Sequence, residues 1–154
     1  MPLFQNSVVT KQLQSQDKSK LAAQWNVFRN HFHNATIQNN IRNSKEEQYQ
    51  GEFLIDLFVN VLVYTKSPSP NFNLTTEHKN VKDSKKADGA ILISTMGSNP
   101  LVKAVIELKG TNTIDLNKIE IQAFGYKNNQ KECTYVITSN FEKLRFISMI
   151  LLKI

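Results

Sequence analysis

The spacing of apolar residues predicts a helix in the N-terminal part of the chain. Leu21, Trp25, Phe28 and Phe32 recur at three- or four-residue intervals, so they share one face of an α-helix. Asp17, just before them, is the expected N-cap. We expect this helix to cover the core rather than to carry chemistry.

A second helix is predicted after the Asn-rich turn at 39–43. Ser44 and Glu47 have the spacing of a capping box, in which each side chain bonds the backbone amide of the other. The helix should run to about Tyr64. Its second half is mostly apolar, but a narrow polar stripe repeats every four residues: Gln48, Glu52, Asp56 and Asn60. One edge of a nearly buried helix is therefore expected to be polar.

The middle of the chain is predicted to form a loop and then a hairpin. Between 66 and 87 the residues are rich in Pro, Asn and Lys, which indicates a loop with at most a short strand. The apolar runs 90–94 and 102–109 are separated by a turn signal at 97–100. We expect these two runs to pair as antiparallel strands.

The last third is predicted to contain a helix over 117–126 and a strand over 134–138. Ser139 and Glu142 have capping-box spacing and predict a final helix. The predicted order of elements is α-α-β-β-α-β-α. It indicates an α/β fold with a central mixed sheet flanked by helices.

Composition narrows the classes of protein that fit. A length of 154 residues with 40% apolar content suits a single compact domain. The net charge of +6 favours a polyanionic partner, although a Lys- and Asn-rich composition explains it equally well. Cys133 is the only cysteine, so a disulfide framework is excluded. With no apolar run of transmembrane length and no signal-peptide pattern, we expect a cytoplasmic protein without membrane contact.

The strand over 102–109 carries the most informative residues. Strand alternation points Val105, Glu107 and Lys109 to one face. A lone Glu-x-Lys is usually a surface ion pair of little consequence. Here the surrounding run is apolar almost throughout, as in a strand covered on both faces, so two charges within it indicate a function.

Asp88 heads the preceding strand and is followed by Gly89. Asp-Gly alone is a turn signal, but hairpin pairing would bring Asp88 close to Glu107 and Lys109. Two adjacent carboxylates repel each other unless a cation lies between them, and oxygen ligands favour Mg²⁺ or Mn²⁺ over Zn²⁺. The pattern predicts a Mg²⁺ site in which Mn²⁺ can substitute.

Asp88, Glu107 and Lys109 together resemble the signature of the PD-(D/E)xK nuclease superfamily, in which an Asp on a hairpin strand precedes Glu-x-Lys on the next strand. Gln122 and Tyr126 resemble the Q-x-x-x-Y motif of several restriction and recombination branches, and at this spacing they share a helix face. The resemblance implies a restriction-endonuclease-like core and a Mg²⁺-dependent endodeoxyribonuclease.

Within the superfamily, the chain most resembles the N-terminal nuclease domain of fused type II (IIG-like) restriction-modification enzymes. The resemblance covers about 48–146, with Ala87 where the family name has Pro. It implies one nuclease domain, with a helical cover over 1–43 and the core over 44–154. It also implies that a methyltransferase and specificity region is absent from this chain, which would then be a fragment of a longer polypeptide, a truncated gene product or a free-standing relative.

The resemblance also implies roles for individual residues. The metal ligands would be Asp88, Glu107 and the backbone carbonyl of Leu108. Lys109 would orient the attacking water or act as a fixed cation, and Gln122 would position the phosphate or Lys109.

An acid on the first core helix often faces the metal in these families. Glu52 is the residue that fits, with Asp56 one turn later as the alternative. Double-stranded DNA is the implied partner, and a dimer is a possible arrangement for cutting both strands. The residues expected to contact DNA are Thr111, Tyr126, Lys85 and Lys86.

Three alternatives stay open. A junction-resolving or repair nuclease of the same fold would have the same catalytic residues. A non-catalytic DNA-binding or assembly module would keep the fold without the chemistry. A small α/β protein with a structural ion pair would leave Asp88 remote from Glu107. The nuclease interpretation predicts that these two carboxylates approach within about 6 Å, where like charges couple strongly.

Overall fold

A five-stranded mixed sheet lies at the centre of the computed structural model, which describes residues 4–79, 86–95, 98–130 and 132–148. The strands are adjacent in chain order, and only the third and fourth run parallel. Their bounds are β1 (Leu74–Lys79), β2 (Lys86–Thr95), β3 (Ser98–Leu108), β4 (Tyr135–Ser139) and β5 (Leu144–Ser148).

Most of the helices precede the sheet in the chain, and one helix connects its two parallel strands. The bounds are α1 (Asn6–Gln14), α2 (Lys18–Phe32), α3 (Ala35–Asn43), α4 (Glu46–Phe53) and α5 (Leu116–Asn128). A π-helical segment, Leu54–Val61, continues α4. Within the described ranges, none of these helices is long and apolar enough to cross a membrane.

Both faces of the sheet are covered. On one face, Leu54 and Phe58 pack in a core with Ile106 of β3. On the other face, Ala123 of α5 packs in a second core with Val105. Two covered faces explain why the β3 sequence is apolar almost throughout, and the predicted α/β fold with a mixed sheet flanked by helices is confirmed.

The predicted antiparallel hairpin is confirmed as β2 and β3. Gly89 pairs with Ile106, and Ala90 pairs with Val105. A Cβ atom on Gly89 would lie 3.3 Å from the backbone oxygen of Thr75 on β1. The glycine therefore permits close packing at this position of the sheet.

The first predicted helix is confirmed as α2. The Asp17 side chain accepts the backbone N–H of Ser19 at 2.9 Å and caps the helix. Leu21 and Trp25, however, are each about half exposed, at 53% and 52%. Only the C-terminal end of this helix face is packed against the core, through Phe32.

The predicted start of the second helix is wrong. Residues 39–43 belong to α3, and the next helix begins at Glu46 rather than after Ser44. The backbone N–H of Lys45 donates to Gln48 Oε1 at 3.1 Å at that helix start. The side chain that caps the helix start is thus that of Gln48, one position after the predicted Glu47.

The predicted final helix is also wrong, because the chain turns at Asn140 and returns as β5. Asn140 Oδ1 accepts the N–H of Lys143 at 2.9 Å, and Ser139 Oγ donates to the Lys143 carbonyl at 2.8 Å. These bonds close a tight turn. The following residues then pair antiparallel with β4, from Ser139 opposite Leu144 to Tyr135 opposite Ser148.

Candidate active site

The hairpin register brings Asp88 beside Glu107. Beyond the pair formed by Ala90 and Val105, the next residues on the same face of the two strands are Asp88 and Glu107. Asp88 Oδ2 accepts the backbone N–H of Leu108 at 2.7 Å. The two carboxylates therefore lie at the same end of the sheet, on the face covered by α5.

Glu107 is a buried carboxylate with one partnered and one unpartnered oxygen. Its residue is only 2% exposed. Lys109 Nζ donates to Oε1 at 3.0 Å, whereas Oε2 has no hydrogen-bond partner among the described residues. Burial raises the pKa of Glu107 to about 7, and the negative charge of Asp88 adds to the rise. A buried, unpartnered carboxylate oxygen beside a second carboxylate is suited to bind a cation.

The pKa values of Asp88 and Lys109 are both raised, but for different physical reasons. Burial raises the pKa of Asp88, although its hydrogen bond to the Leu108 amide and the Lys109 ammonium oppose this. For Lys109, burial lowers the pKa, but the carboxylates of Glu107, Glu46 and Asp88 outweigh it and raise the pKa above its usual value. Lys109 is consequently a cation at neutral pH.

Glu46 is a site residue that the sequence did not indicate. It is the first residue of α4, and its Oε1 lies 3.3 Å from Lys109 Nζ. Its Oε2 accepts the backbone N–H of Gly110 at 2.9 Å. A carboxylate in the first turn of a helix is also stabilised by the helix dipole. The first core helix does supply an acid to the site, from its N-terminal residue rather than from the polar stripe.

Neither of the two acids predicted for this role contacts Lys109. Glu52 is exposed on α4, six residues and about 9 Å of helix rise beyond Glu46. Asp56 accepts the Tyr49 hydroxyl at 3.2 Å and lies 3.1 Å from His31 Nε2. The predicted assignment of Glu52 is therefore not matched by the structure.

Gln122 and Tyr126 are brought together on α5, as their spacing predicts. Gln122 Nε2 donates to the Tyr126 hydroxyl at 3.1 Å. The Tyr126 ring is buried in the second core, whereas Gln122 is exposed. Since α5 covers the face from which Glu107 projects, the pair lies on the same side of the sheet as the carboxylates.

The residues predicted to contact DNA differ in their surroundings. The Thr111 hydroxyl donates to the Arg42 carbonyl at 3.4 Å. Lys86 is exposed and forms an ion pair with Glu77 at 2.9 Å. Lys85 lies outside the described residues. Lys86 is two residues from Asp88 on β2, but the contact that its ammonium group makes is with Glu77.

The donor set determines which cation fits. In the described part of the chain, no group of three or more His, Cys, Asp and Glu residues is placed to hold a metal ion. The site offers the carboxylates of Asp88 and Glu107, and the carbonyl of Leu108 stays a predicted third ligand. Mg²⁺ is commonly held by one or two carboxylates, with water and substrate phosphate completing its shell. The residues present fit that mode.

A cavity of about 670 Å³ lies elsewhere, between the helices and the turn that joins β4 to β5. Phe28, Phe53 and Phe141 are among the residues that line it, and Asp88, Glu107 and Lys109 are not. The Lys109 side chain is 26% exposed at the end of the sheet. Lys109 thus reaches the surface at this end of the sheet, whereas Glu107 is buried.

The buried Glu107 carboxylate predicts a specific dependence of stability on pH. Between about pH 4.5 and about pH 7, the folded protein keeps a proton on Glu107 that the unfolded chain has released. Without divalent metal, the free energy of unfolding should therefore fall as the pH rises through this window, by at most about 3 kcal/mol from this group. Glu107→Gln should remove this contribution.

Urea unfolding in EDTA at a series of pH values measures this effect. Glu107→Gln should match the parent at the acid end and exceed it in stability at pH 8. Glu52→Gln, an exposed acid on α4, is the control and should follow the parent throughout. Parallel curves for the parent and Glu107→Gln would contradict the burial of an ionisable Glu107.

The geometry of these residues is the basis for assigning a function. Three predicted residues, Asp88, Glu107 and Lys109, lie together, and Glu46 joins them. Comparison of the chain with models of protein families, with curated proteins and with solved structures finds no match.

Proposed function

We propose that this chain is a Mg²⁺-dependent endodeoxyribonuclease with a restriction-endonuclease-like core, and that it serves as the cleavage domain of a restriction-modification enzyme. The observation that carries the proposal is the convergence of Asp88, Glu107 and Lys109 at one end of the sheet. Glu107 Oε2 supports the proposal. A buried carboxylate oxygen without a partner among the described residues lowers the stability of the fold, and metal binding is a function that would explain why it is there.

Asp88 and Glu107 would hold Mg²⁺, together with the Leu108 carbonyl. Bound there, the ion would lower the pKa of a coordinated water and offset charge on the scissile phosphate. The Leu108 N–H bond fixes the Asp88 carboxylate, and the Lys109 ammonium fixes one oxygen of Glu107. Both acids are thus oriented before any substrate arrives, which reduces the cost of reorganisation.

Lys109 would act as a fixed cation. In hydrolysis, a water oxygen bonds to phosphorus and releases a proton to solvent, and negative charge builds on the phosphate oxygens. The bond from phosphorus to the leaving oxygen breaks, and that oxygen takes up a proton from solvent. The carboxylates around Lys109 keep it protonated, so it is suited to stabilise that charge and to orient the water rather than to remove a proton.

Glu46 would keep Lys109 in place. Its two oxygens bond Lys109 Nζ and the Gly110 N–H, so it joins the start of α4 to the end of β3. Gln122, exposed on α5 and bonded to Tyr126, would position the phosphate. Lys86 and Thr111 would contact DNA phosphates. Such contacts position the protein on DNA but do not distinguish one base sequence from another.

The proposed partners follow from the same function. Double-stranded DNA would be the substrate, and a methyltransferase and specificity region would be the partner. Two copies would be needed to cut both strands in a single binding event. The surplus of positive charge is consistent with a polyanionic substrate.

Nicking of a supercoiled plasmid tests the function and the role of Glu46 together. The chain should nick the plasmid in Mg²⁺ or Mn²⁺ and not in EDTA. Glu46→Gln should reduce the rate by about 10-fold or more, because it weakens a hydrogen bond to a charged group. Glu52→Gln is the matched control on the same helix and should nick like the parent.

Two results would count against this assignment. Nicking that is equally fast in EDTA would exclude a metal-dependent nuclease. A loss of activity in Glu52→Gln with full activity in Glu46→Gln would show that the acid from the first core helix is Glu52 after all.

A further inference from the structure

Thr138 of β4 lies directly beside Glu107 in the sheet. The two residues are partners in the parallel register of β3 and β4. Val105 and Val136, two residues earlier on each strand, both pack in the second core. Because side chains alternate along a strand, Glu107 and Thr138 project from that same face.

Thr138 is also completely buried, with 0% exposure, and its hydroxyl oxygen Oγ1 lacks a hydrogen-bond partner among the described residues. Oε2 of the neighbouring Glu107 likewise has no hydrogen-bond partner among these residues. Buried polar atoms are nearly always hydrogen-bonded, so two unpartnered atoms on adjacent side chains call for a common explanation.

The two atoms have complementary chemistry. A threonine hydroxyl donates one hydrogen bond, and a carboxylate oxygen accepts. A water held between them would receive the hydroxyl hydrogen and donate to Oε2, as buried waters typically do for otherwise unsatisfied groups. Lys109 already holds Oε1 on the other side.

We propose that Thr138 is the positioning residue of Glu107, linked to its Oε2 through one buried water. With Lys109 on one oxygen and Thr138 on the other, the carboxylate has a fixed orientation, and each oxygen keeps a second lone pair that can bind the cation. Replacing a residue that holds a metal ligand by a hydrogen bond commonly weakens metal affinity by about 10- to 100-fold. The inference rests on the proposed function, because it assigns Thr138 to the same metal site.

Calorimetric titration of the full chain with Mn²⁺ tests this role. Thr138→Val keeps the shape and removes the hydroxyl, so we expect its Kd for Mn²⁺ to rise about 10-fold. Thr138→Ser restores a hydroxyl and should stay within about 3-fold of the parent, well short of that effect. Ile137→Val, a buried change on the opposite face of the same strand, is the control and should leave the Kd unchanged.

Thermal unfolding in EDTA separates positioning from simple packing. Thr138→Val should melt within about 3 °C of the parent, since its volume is preserved. A crystal structure of the parent should show the water within hydrogen-bond distance of Thr138 Oγ1 and Glu107 Oε2. Thr138→Ala serves as a second variant without the hydroxyl if Thr138→Val does not fold, and it should also bind Mn²⁺ about 10-fold more weakly.

The results distinguish the two hypotheses. Mn²⁺ binding by the parent with equal affinity in Thr138→Val would overturn the role of Thr138 and leave the proposed function intact. Loss of Mn²⁺ affinity together with a large fall in melting temperature would overturn it in favour of a packing role. No Mn²⁺ binding by the parent, together with no nicking, would overturn the proposed function and this inference with it.

Discussion

Replacing Glu107 by Gln should abolish measurable Mn²⁺ binding and reduce plasmid nicking by at least about 100-fold. The substitution keeps the size of the side chain and removes one of two carboxylate charges. Asp88 alone would then face the cation, because Lys109 is positive and Glu46 is already engaged by Lys109 and the Gly110 amide. Calorimetric titration and plasmid nicking on the same preparation measure both losses.

The control for this substitution is Glu132→Gln. Glu132 is exposed just before the start of β4, at the opposite end of that strand from Thr138, the residue that pairs with Glu107, so its loss should leave both Mn²⁺ binding and nicking unchanged. If Glu107→Gln bound Mn²⁺ with the affinity of the parent, Glu107 would not be a ligand, and its burial would need a different explanation.

Replacing Lys109 by Ala should also reduce nicking by at least about 100-fold, but with the metal site preserved. Both carboxylates remain, and a competing positive charge next to them is removed. Mn²⁺ affinity should therefore be equal to that of the parent or higher. DNA binding should stay within a few-fold and keep its dependence on salt, because several basic side chains contribute to it.

Lys103→Ala provides the matched control. Lys103 lies on the same strand, six residues earlier, and donates to the Thr134 hydroxyl at 2.9 Å. Its removal should leave the nicking rate within a few-fold of the parent. If Lys109→Ala nicked as fast as the parent, the assignment of Lys109 as the cation that acts on the phosphate would be wrong.

These two substitutions separate the roles of residues that touch each other. Glu107 and Lys109 are joined by a 3.0 Å hydrogen bond, so a purely structural ion pair predicts the same consequence from either loss. A catalytic centre predicts that metal affinity falls in one variant and persists in the other. The contrast therefore distinguishes the nuclease from an α/β protein with a buried ion pair.

Local sequence patterns were sufficient to predict the hairpin and its charged residues. Strand alternation alone places Glu107 and Lys109 on one face, and the apolar run around them indicates a strand covered on both sides. Antiparallel pairing across a short connection then brings Asp88 to Glu107. Similarly, the Asp17 cap and the helical spacing of Gln122 and Tyr126 are local properties, which the structure reproduces.

Patterns that were ambiguous locally were decided by tertiary contacts. Ser139 and Glu142 have capping-box spacing, but Asn140 closes a turn there and the next residues gain a full ladder of hydrogen bonds along β4. Pairing with a strand that is already in place outweighs a helical start signal, because most of the stability of a helix comes from packing. The Asn-rich segment 39–43 likewise became part of α3.

The sequence by itself determined the strand pair and the residues Asp88, Glu107 and Lys109, because these depend on alternation and on neighbours close in the chain. Only the tertiary structure decided that Glu46 joins Lys109 and that Thr138 lies beside Glu107. Glu46 is more than sixty residues from its partner, and Thr138 reaches Glu107 through a parallel pairing that requires the α5 crossover. No local pattern encodes the meeting of such distant residues, because it depends on how helices and strands pack around a common core.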